Sequence, residues 1–155
     1  MWTDYQDYLS EKVKFAVKLI LLHPEYPNVK KFLVLKKDPA QYTKDKRYDL
    51  PGGNVSPTES HETALKRELE EETKMKLNLP VTPVAVQSGL NPETQIYSLF
   101  IAFVSKAISD KVEINPEEHV DYAWYTLEEF INEAGKDNYV VPDAKKALKC
   151  ATLLY

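Results

Sequence analysis

The chain has 155 residues, 43% of them apolar, enough to bury one sizeable core and too few for two ordinary domains. Its 20 basic and 24 acidic side chains leave a net charge of −4 with no basic block or stripe, which argues against general nucleic-acid binding. One cysteine, Cys150, has no internal partner for a disulfide, so it fits a reducing, cytoplasmic setting and reads as a small buried hydrophobe.

The first eleven residues are polar and acidic and lack the charged-then-apolar design of a signal peptide. The apolar run at residues 15–22 is interrupted by Lys18 and is far shorter than the roughly 20 residues of a membrane helix. These features predict a soluble, untargeted, cytoplasmic protein with no membrane partner, folded as one continuous domain over residues 1–155. Val13, Phe15, Val17 and Leu19 alternate with Lys12, Lys14 and Lys18, the period of a strand with one wet face, before residues 20–22 bury both faces. His23 and Pro24 close this strand, residues 25–28 connect, and residues 32–35 form the next strand between flanking lysines.

The middle of the chain places a glycine turn, Leu50, Pro51, Gly52 and Gly53, directly before one acidic helix. Ser56, followed by Pro57, and Ser60 compete as N-cap, and Ser60 is the choice for the main helix. On that helix Glu68, Glu71 and Glu72 stand at i, i+3 and i+4, so their carboxylates share one face, while Leu65 and Leu69 can anchor it to a sheet. Four glutamates, Glu68, Glu70, Glu71 and Glu72, crowd the carboxyl half, where the helix dipole already disfavours negative charge. Surface pairs such as Arg67 with Glu71 contribute only about 0.3–0.5 kcal/mol each and leave the cluster open to a cation. An oxygen-only donor face suits a hard ion, Mg2+ or Mn2+. The glycine turn lets backbone approach such an ion and its phosphates.

Further along, residues 84–86 and 95–104 read as strands with Asn91 and Pro92 turning between them, and residues 122–125 as a short third. Thr126 and Glu129 form a capping box for a helix that Gly135 closes. Asp143, after Pro142, starts a last helix with Ala144, Ala147, Leu148 and Ala151 on one face. Strands interspersed with helices predict an α/β protein with a mixed sheet covered by helices.

Residues 53–75 resemble the Nudix box: Gly53, Glu59, Arg67, Glu68, Leu69, Glu71, Glu72 and Met75 each fall at the specified spacing. The departure is Lys74, where the pattern has a glycine able to take the left-handed conformation after the helix; lysine there implies strain of about 1 kcal/mol or a different helix end. The resemblance implies an α/β/α sandwich and a hydrolase of nucleoside diphosphate-linked compounds. It implies that Glu68, Glu71, Glu72 and the Gly52 carbonyl hold divalent metal, that Glu68 is the general base, and that Arg67 and Glu59 orient loop and helix. Trp124 and the following capping box resemble the family's late strand-to-helix segment, whose preceding loop often adds an acid; Glu118 is the candidate, with Glu117 behind it. His23, His61 and His119 show no ligand spacing and read as surface or cap residues, with His119 alone of further interest because it adjoins Glu118. Tyr48 is equally placed to stack on a base or to pack in the core.

The reaction expected is attack of a metal-activated water on phosphorus with nucleoside monophosphate as one product, and the leading small-molecule substrate is a nucleoside triphosphate. ADP-ribose, a nucleotide sugar or a dinucleoside polyphosphate is the alternative, with Pro92 and Tyr97 in the neighbourhood where such family members carry a downstream proline or tyrosine. A non-catalytic nucleotide-binding module is the alternative from another class. The expected assembly is a monomer or homodimer.

Overall fold

The alternation at the chain's start becomes a ten-residue strand, β1 (Val13–Leu22), in the computed structural model, which describes residues 13–155. Lys12 and the acidic first eleven residues lie outside the described residues. After β1 come β2 (Phe32–Lys36), a one-turn helix α1 (Lys44–Arg47), β3 (Tyr48–Asp49), β4 (Gly52–Asn54) and α2 (His61–Thr73). They are followed by β5 (Thr82–Asn91), β6 (Ile96–Lys106), β7 (Asp121–Tyr125), α3 (Leu127–Ala134) and α4 (Val140–Leu154).

Seven strands make one sheet in the order β3-β2-β1-β6-β5, with β4 also alongside β1 and β7 alongside β2. The β1–β6 pair is parallel and the others antiparallel, so the sheet is mixed. Period-two alternation sends Val17, Leu19 and Leu21 to one face, where Leu33 and Leu35 join them under Ala64, Leu65 and Leu69 of α2. Ile20, Leu22, Phe32 and Val34 point the other way, onto Phe130 of α3 and Val140, Ala144, Ala147 and Ala151 of α4. Each fully buried Leu, Ile or Phe contributes about 1.5–3 kcal/mol, so both faces hold their helices firmly. The result is an α/β/α sandwich.

On one side β1 changes neighbours along its length. Leu22 pairs with Phe32 of β2, whereas Ala16, Val17 and Lys18 pair with Asn54, Gly53 and Gly52 of β4. The sheet therefore opens between β4 and the β2–β3 pair, and the carboxyl half of α2 lies beside this opening through its contacts with β4.

Where sequence and structure differ, partners outside the local segment decide. β3, which the sequence does not announce, and β4, whose glycines read as turn, are two and three residues long and exist through pairing with β2 and β1. β5 runs well beyond residues 84–86 because its backbone pairs with β6 although many of its side chains are polar. Gln95 belongs to the turn, at φ 59°, where Asn91 Oδ1 accepts from the N–H groups of Glu93 and Thr94. The last helix begins at Val140 rather than Asp143. Asn138 Oδ1 accepts from the Val140 N–H at 3.0 Å, and Pro142 sits in the first turn, where a missing N–H costs no intrahelical bond. No helix among the described residues is long and apolar enough to cross a membrane.

Candidate active site

Both ends of α2 are fastened by specific bonds. Ser60 Oγ accepts from the Thr63 N–H at 3.2 Å and is the N-cap; Ser56 supports only a turn, its carbonyl accepting from the Glu59 N–H at 3.2 Å. At the other end Lys74 adopts the left-handed conformation (φ 59°, ψ 14°) and donates its N–H to the Glu70 carbonyl at 2.9 Å, taking the part of the expected glycine. The Glu72 and Thr73 carbonyls, left over by the helix, accept from the N–H groups of Asn115 at 3.2 Å and Glu113 at 3.0 Å. Those two bonds tie the loop before β7 to the acidic end of α2.

The glycine turn meets the helix face directly. Gly52, at φ 138°, donates its N–H to Glu72 Oε1 at 2.8 Å. A Cβ on Gly53 would sit 2.5 Å from Glu68 Oε1, so only glycine leaves room for that carboxylate. Arg67 organises the rest: Nε and Nη2 grip the two oxygens of Glu59 at 3.1 and 2.7 Å, and Nη2 also donates to the Asn54 carbonyl at 3.0 Å. Its Nη1 reaches Glu68 Oε1 at 2.9 Å and Glu71 Oε2 at 3.4 Å. Hydrogen bonds from Arg67, then from the Ser56 N–H, pull the Glu59 carboxyl down to about 2, and Glu59 holds Arg67 above its ordinary value.

Glu72 is 3% exposed. Burial, with Asp49 and Glu68 adding to it and the Gly52 N–H and Lys18 opposing it, raises its carboxyl to about 8. Asp49 of β3 accepts from Lys18 Nζ at 2.9 Å and from the Tyr139 hydroxyl at 2.8 Å. Burial pushes its carboxyl up, but His119, Lys18 and Tyr139 outweigh that and hold it well below the usual range. Between Asp49 and Glu72 lies His119, 2% exposed, with Nδ1 3.8 Å from Glu72 Oε2 and Nε2 3.9 Å from Asp49 Oδ2.

The three helix glutamates thus divide in two groups. Glu68 and Glu71 lean on Arg67, Glu71 with half its side chain exposed. Among the described residues, Glu72, Glu118 and His119 are the group whose ligating atoms all lie within 4.8 Å of one another. Glu117 is exposed and outside this group. His119 is therefore neither a surface nor a cap residue. His23 is likewise buried, its Nδ1 accepting from the Glu25 N–H within the turn after β1 rather than at a helix end, and His61 stacks on Phe103. Tyr48 packs edge-on against Phe130 in the core, Cys150 is half-buried, and Pro92 and Tyr97 are exposed near the β5–β6 turn. Sequence reasoning missed Lys18, Asp49 and Tyr139. The one available signal was Lys18 itself, a charge interrupting an apolar strand, which needs a buried partner.

A glycine turn cradling two carboxylates of a half-buried helix, on a mixed sheet between helices, defines a class of site able to hold a divalent cation. The donor set fits such an ion: Glu72 and Glu118 carboxylates with ligating atoms within 4.8 Å of each other and of His119, Glu72 buried near other acids, and the His119 imidazole with no hydrogen-bond partner on either nitrogen. The NUDIX domain family profile matches residues 15–146, and the chain belongs to the NUDIX family. It is 33% identical to the nucleoside triphosphatase NudI of Escherichia coli O17:K52:H18 over 94 residues, covering 56% of this chain and 66% of that protein, just under two thirds of its length. Among solved structures, the MutT protein of Methanosarcina mazei Go1 superposes with a TM-score of 0.69 at 22% identity, covering 92% of this chain and 96% of that one. A C. elegans Ap4A hydrolase gives 0.66 at 20% identity, covering 91% and 98%. These two likenesses concern the fold.

Proposed function

We propose that the protein is a Mg2+-dependent hydrolase that cleaves a phosphoanhydride bond in a nucleoside triphosphate, releasing nucleoside monophosphate and pyrophosphate. The observation that carries this reading is the seating of Glu68 and Glu72 against Gly53 and the Gly52 N–H, which presents two helix carboxylates beside a turn whose backbone can approach phosphate. The nucleoside triphosphatase relatives support the substrate class. Glu68, Glu71, Glu72, the Gly52 carbonyl and Glu118 would hold the metal; Mn2+ suits the same donors. A divalent cation bound there supplies charge neutralisation on the phosphate oxygens and acidity to a water.

The chain's own residues do the rest. Glu68 accepts the proton of the attacking water, the new bond forms to phosphorus, and the anhydride P–O bond between the α- and β-phosphates breaks, so that nucleoside monophosphate and pyrophosphate part. Arg67, bidentate to Glu59 and bonded to the Asn54 carbonyl, keeps turn and helix in register and Glu68 aimed. On this reading the protein is a cytoplasmic single-domain enzyme over residues 1–155, a monomer or homodimer acting on small nucleotides.

A panel of nucleoside triphosphates, ADP-ribose and dinucleoside polyphosphates, incubated with Mg2+ and resolved by chromatography, tests it. Wild type should turn over a nucleoside triphosphate fastest, and Glu71→Gln and Glu72→Gln should lose most of that rate. Equal inertness of wild type and variants on every compound would leave a nucleotide-binding module instead.

A further inference from the structure

Resting on the reading of Glu72 as a metal ligand, we infer that His119 is a further ligand of the same centre. Its Nδ1 would complete a mixed nitrogen and oxygen site with Glu72 and Glu118, one that takes Mn2+ and the later first-row divalent ions in preference to Mg2+.

Four observations lead there. The ligating atoms of Glu72, Glu118 and His119 lie within 4.8 Å of one another, and His119 Nδ1 is 3.8 Å from Glu72 Oε2. Donors about 2.0–2.2 Å from one ion stand roughly 3 to 4.4 Å apart, so the three close on an ion with only small movement.

His119 is almost wholly buried, yet neither ring nitrogen has a hydrogen-bond partner. A buried polar group left unsatisfied is costly, and an ion at Nδ1 removes that cost on the side facing Glu72.

The far side of the ring faces a carboxylate, Asp49 Oδ2, at 3.9 Å from Nε2. Metal-bound histidines regularly point their other N–H at a carboxylate, which fixes the tautomer and leaves the opposite lone pair free for the metal. Asp49 is itself steadied by Lys18 at 2.9 Å and by the Tyr139 hydroxyl at 2.8 Å, so it forms a rigid backstop to the imidazole.

The backbone fixes the same geometry independently: the His119 N–H donates to the Asn115 carbonyl at 3.0 Å, and the Asn115 N–H donates to the Glu72 carbonyl at 3.2 Å. His119 is thereby tied to the helix turn that carries Glu72. Imidazole nitrogen favours Mn2+, Co2+ and Zn2+ over Mg2+, which binds through oxygens and keeps much of its water.

The test uses the full chain and Mn2+ alone, read by electron spin echo envelope modulation. Bound Mn2+ should show coupling to a 14N nucleus that changes to the 15N pattern when the histidines are 15N-labelled. It should persist in His23→Gln and His61→Gln and vanish in His119→Gln, with Mn2+ binding about tenfold weaker or more and Mg2+ binding changed far less. The labelled wild type decides the matter even if His119→Gln does not fold. Mn2+ bound without nitrogen coupling, in protein that still hydrolyses nucleotide, would overturn the histidine ligand and leave the proposed function standing. No Mn2+ binding at all would overturn the histidine site, while turnover of the nucleotide panel with Mg2+ decides the proposed function separately.

Discussion

Gly52 and Gly53 adjoin one another yet exclude a side chain for different reasons. A Cβ on Gly52 would lie 2.1 Å from the Val17 carbonyl oxygen, at φ 138°, so backbone blocks it. Gly52→Ala should destabilise the fold by about 2 kcal/mol or more, read as a lowered Tm. A Cβ on Gly53 meets the Glu68 carboxylate, which can swing away. Gly53→Ala should keep Tm near wild type and lower hydrolysis by about a hundredfold, because Glu68 is displaced. Gly135, at φ 99° with nothing near its Cβ position, is the control: Gly135→Ala should cost about 1 kcal/mol from backbone strain alone and leave turnover intact. Glu59 offers a pH test. Its carboxyl is held at about 2 instead of 4.5, so its contribution to stability is complete above about pH 4.5 and is lost as pH falls toward 2. Glu59→Gln should flatten the Tm profile over that window, and an acid limb parallel to wild type would show that Arg67 does not set it.

At the scale of elements, α2 was readable because its determinants are local: the Ser60 cap, the Leu65 and Leu69 stripe and the box residues all lie within one segment. Ser60→Ala should cost about 1 kcal/mol in chemical denaturation. Lys74→Gly should do the reverse, stabilising by up to about 1 kcal/mol as the left-handed strain is relieved, with hydrolysis unchanged because no site carboxylate moves. If Lys74→Gly proved neutral or harmful, the strain assigned to this helix end would be wrong. The capping box of α3 was equally local, and Thr126 and Glu129 bond as expected. The start of α4 was not, since Asn138 supplies the bond to Val140 from outside the helix and Asp143 is occupied with Gln87 at 3.1 Å. β3 and β4 lay beyond reach because strands of two and three residues carry no period of their own.

Over the whole molecule, the sheet brings together groups that no local spacing could relate. Lys18 comes from β1, Asp49 from β3, Glu72 from α2, His119 from the loop before β7 and Tyr139 from the residue before α4. Glu68, Glu71 and Glu72 were visible in the sequence as an acidic face, but their division between Arg67 on one side and Glu118 with His119 on the other is a tertiary fact. On the proposed reading, the cluster would also set the molecule's response to metal. An ion that binds only the folded chain stabilises it by about 2.7 kcal/mol at a hundredfold excess over its dissociation constant, so Mg2+ should raise Tm by several degrees. Glu72→Gln should abolish most of that rise.

The most direct measurement is 31P NMR of a nucleoside triphosphate incubated with the protein and Mg2+. The expected result is a pyrophosphate resonance growing with that of nucleoside monophosphate, absent when EDTA is added and slowed about a hundredfold or more in Glu68→Gln. Release of orthophosphate as the first product, or turnover unchanged by EDTA and by Glu68→Gln, would contradict it.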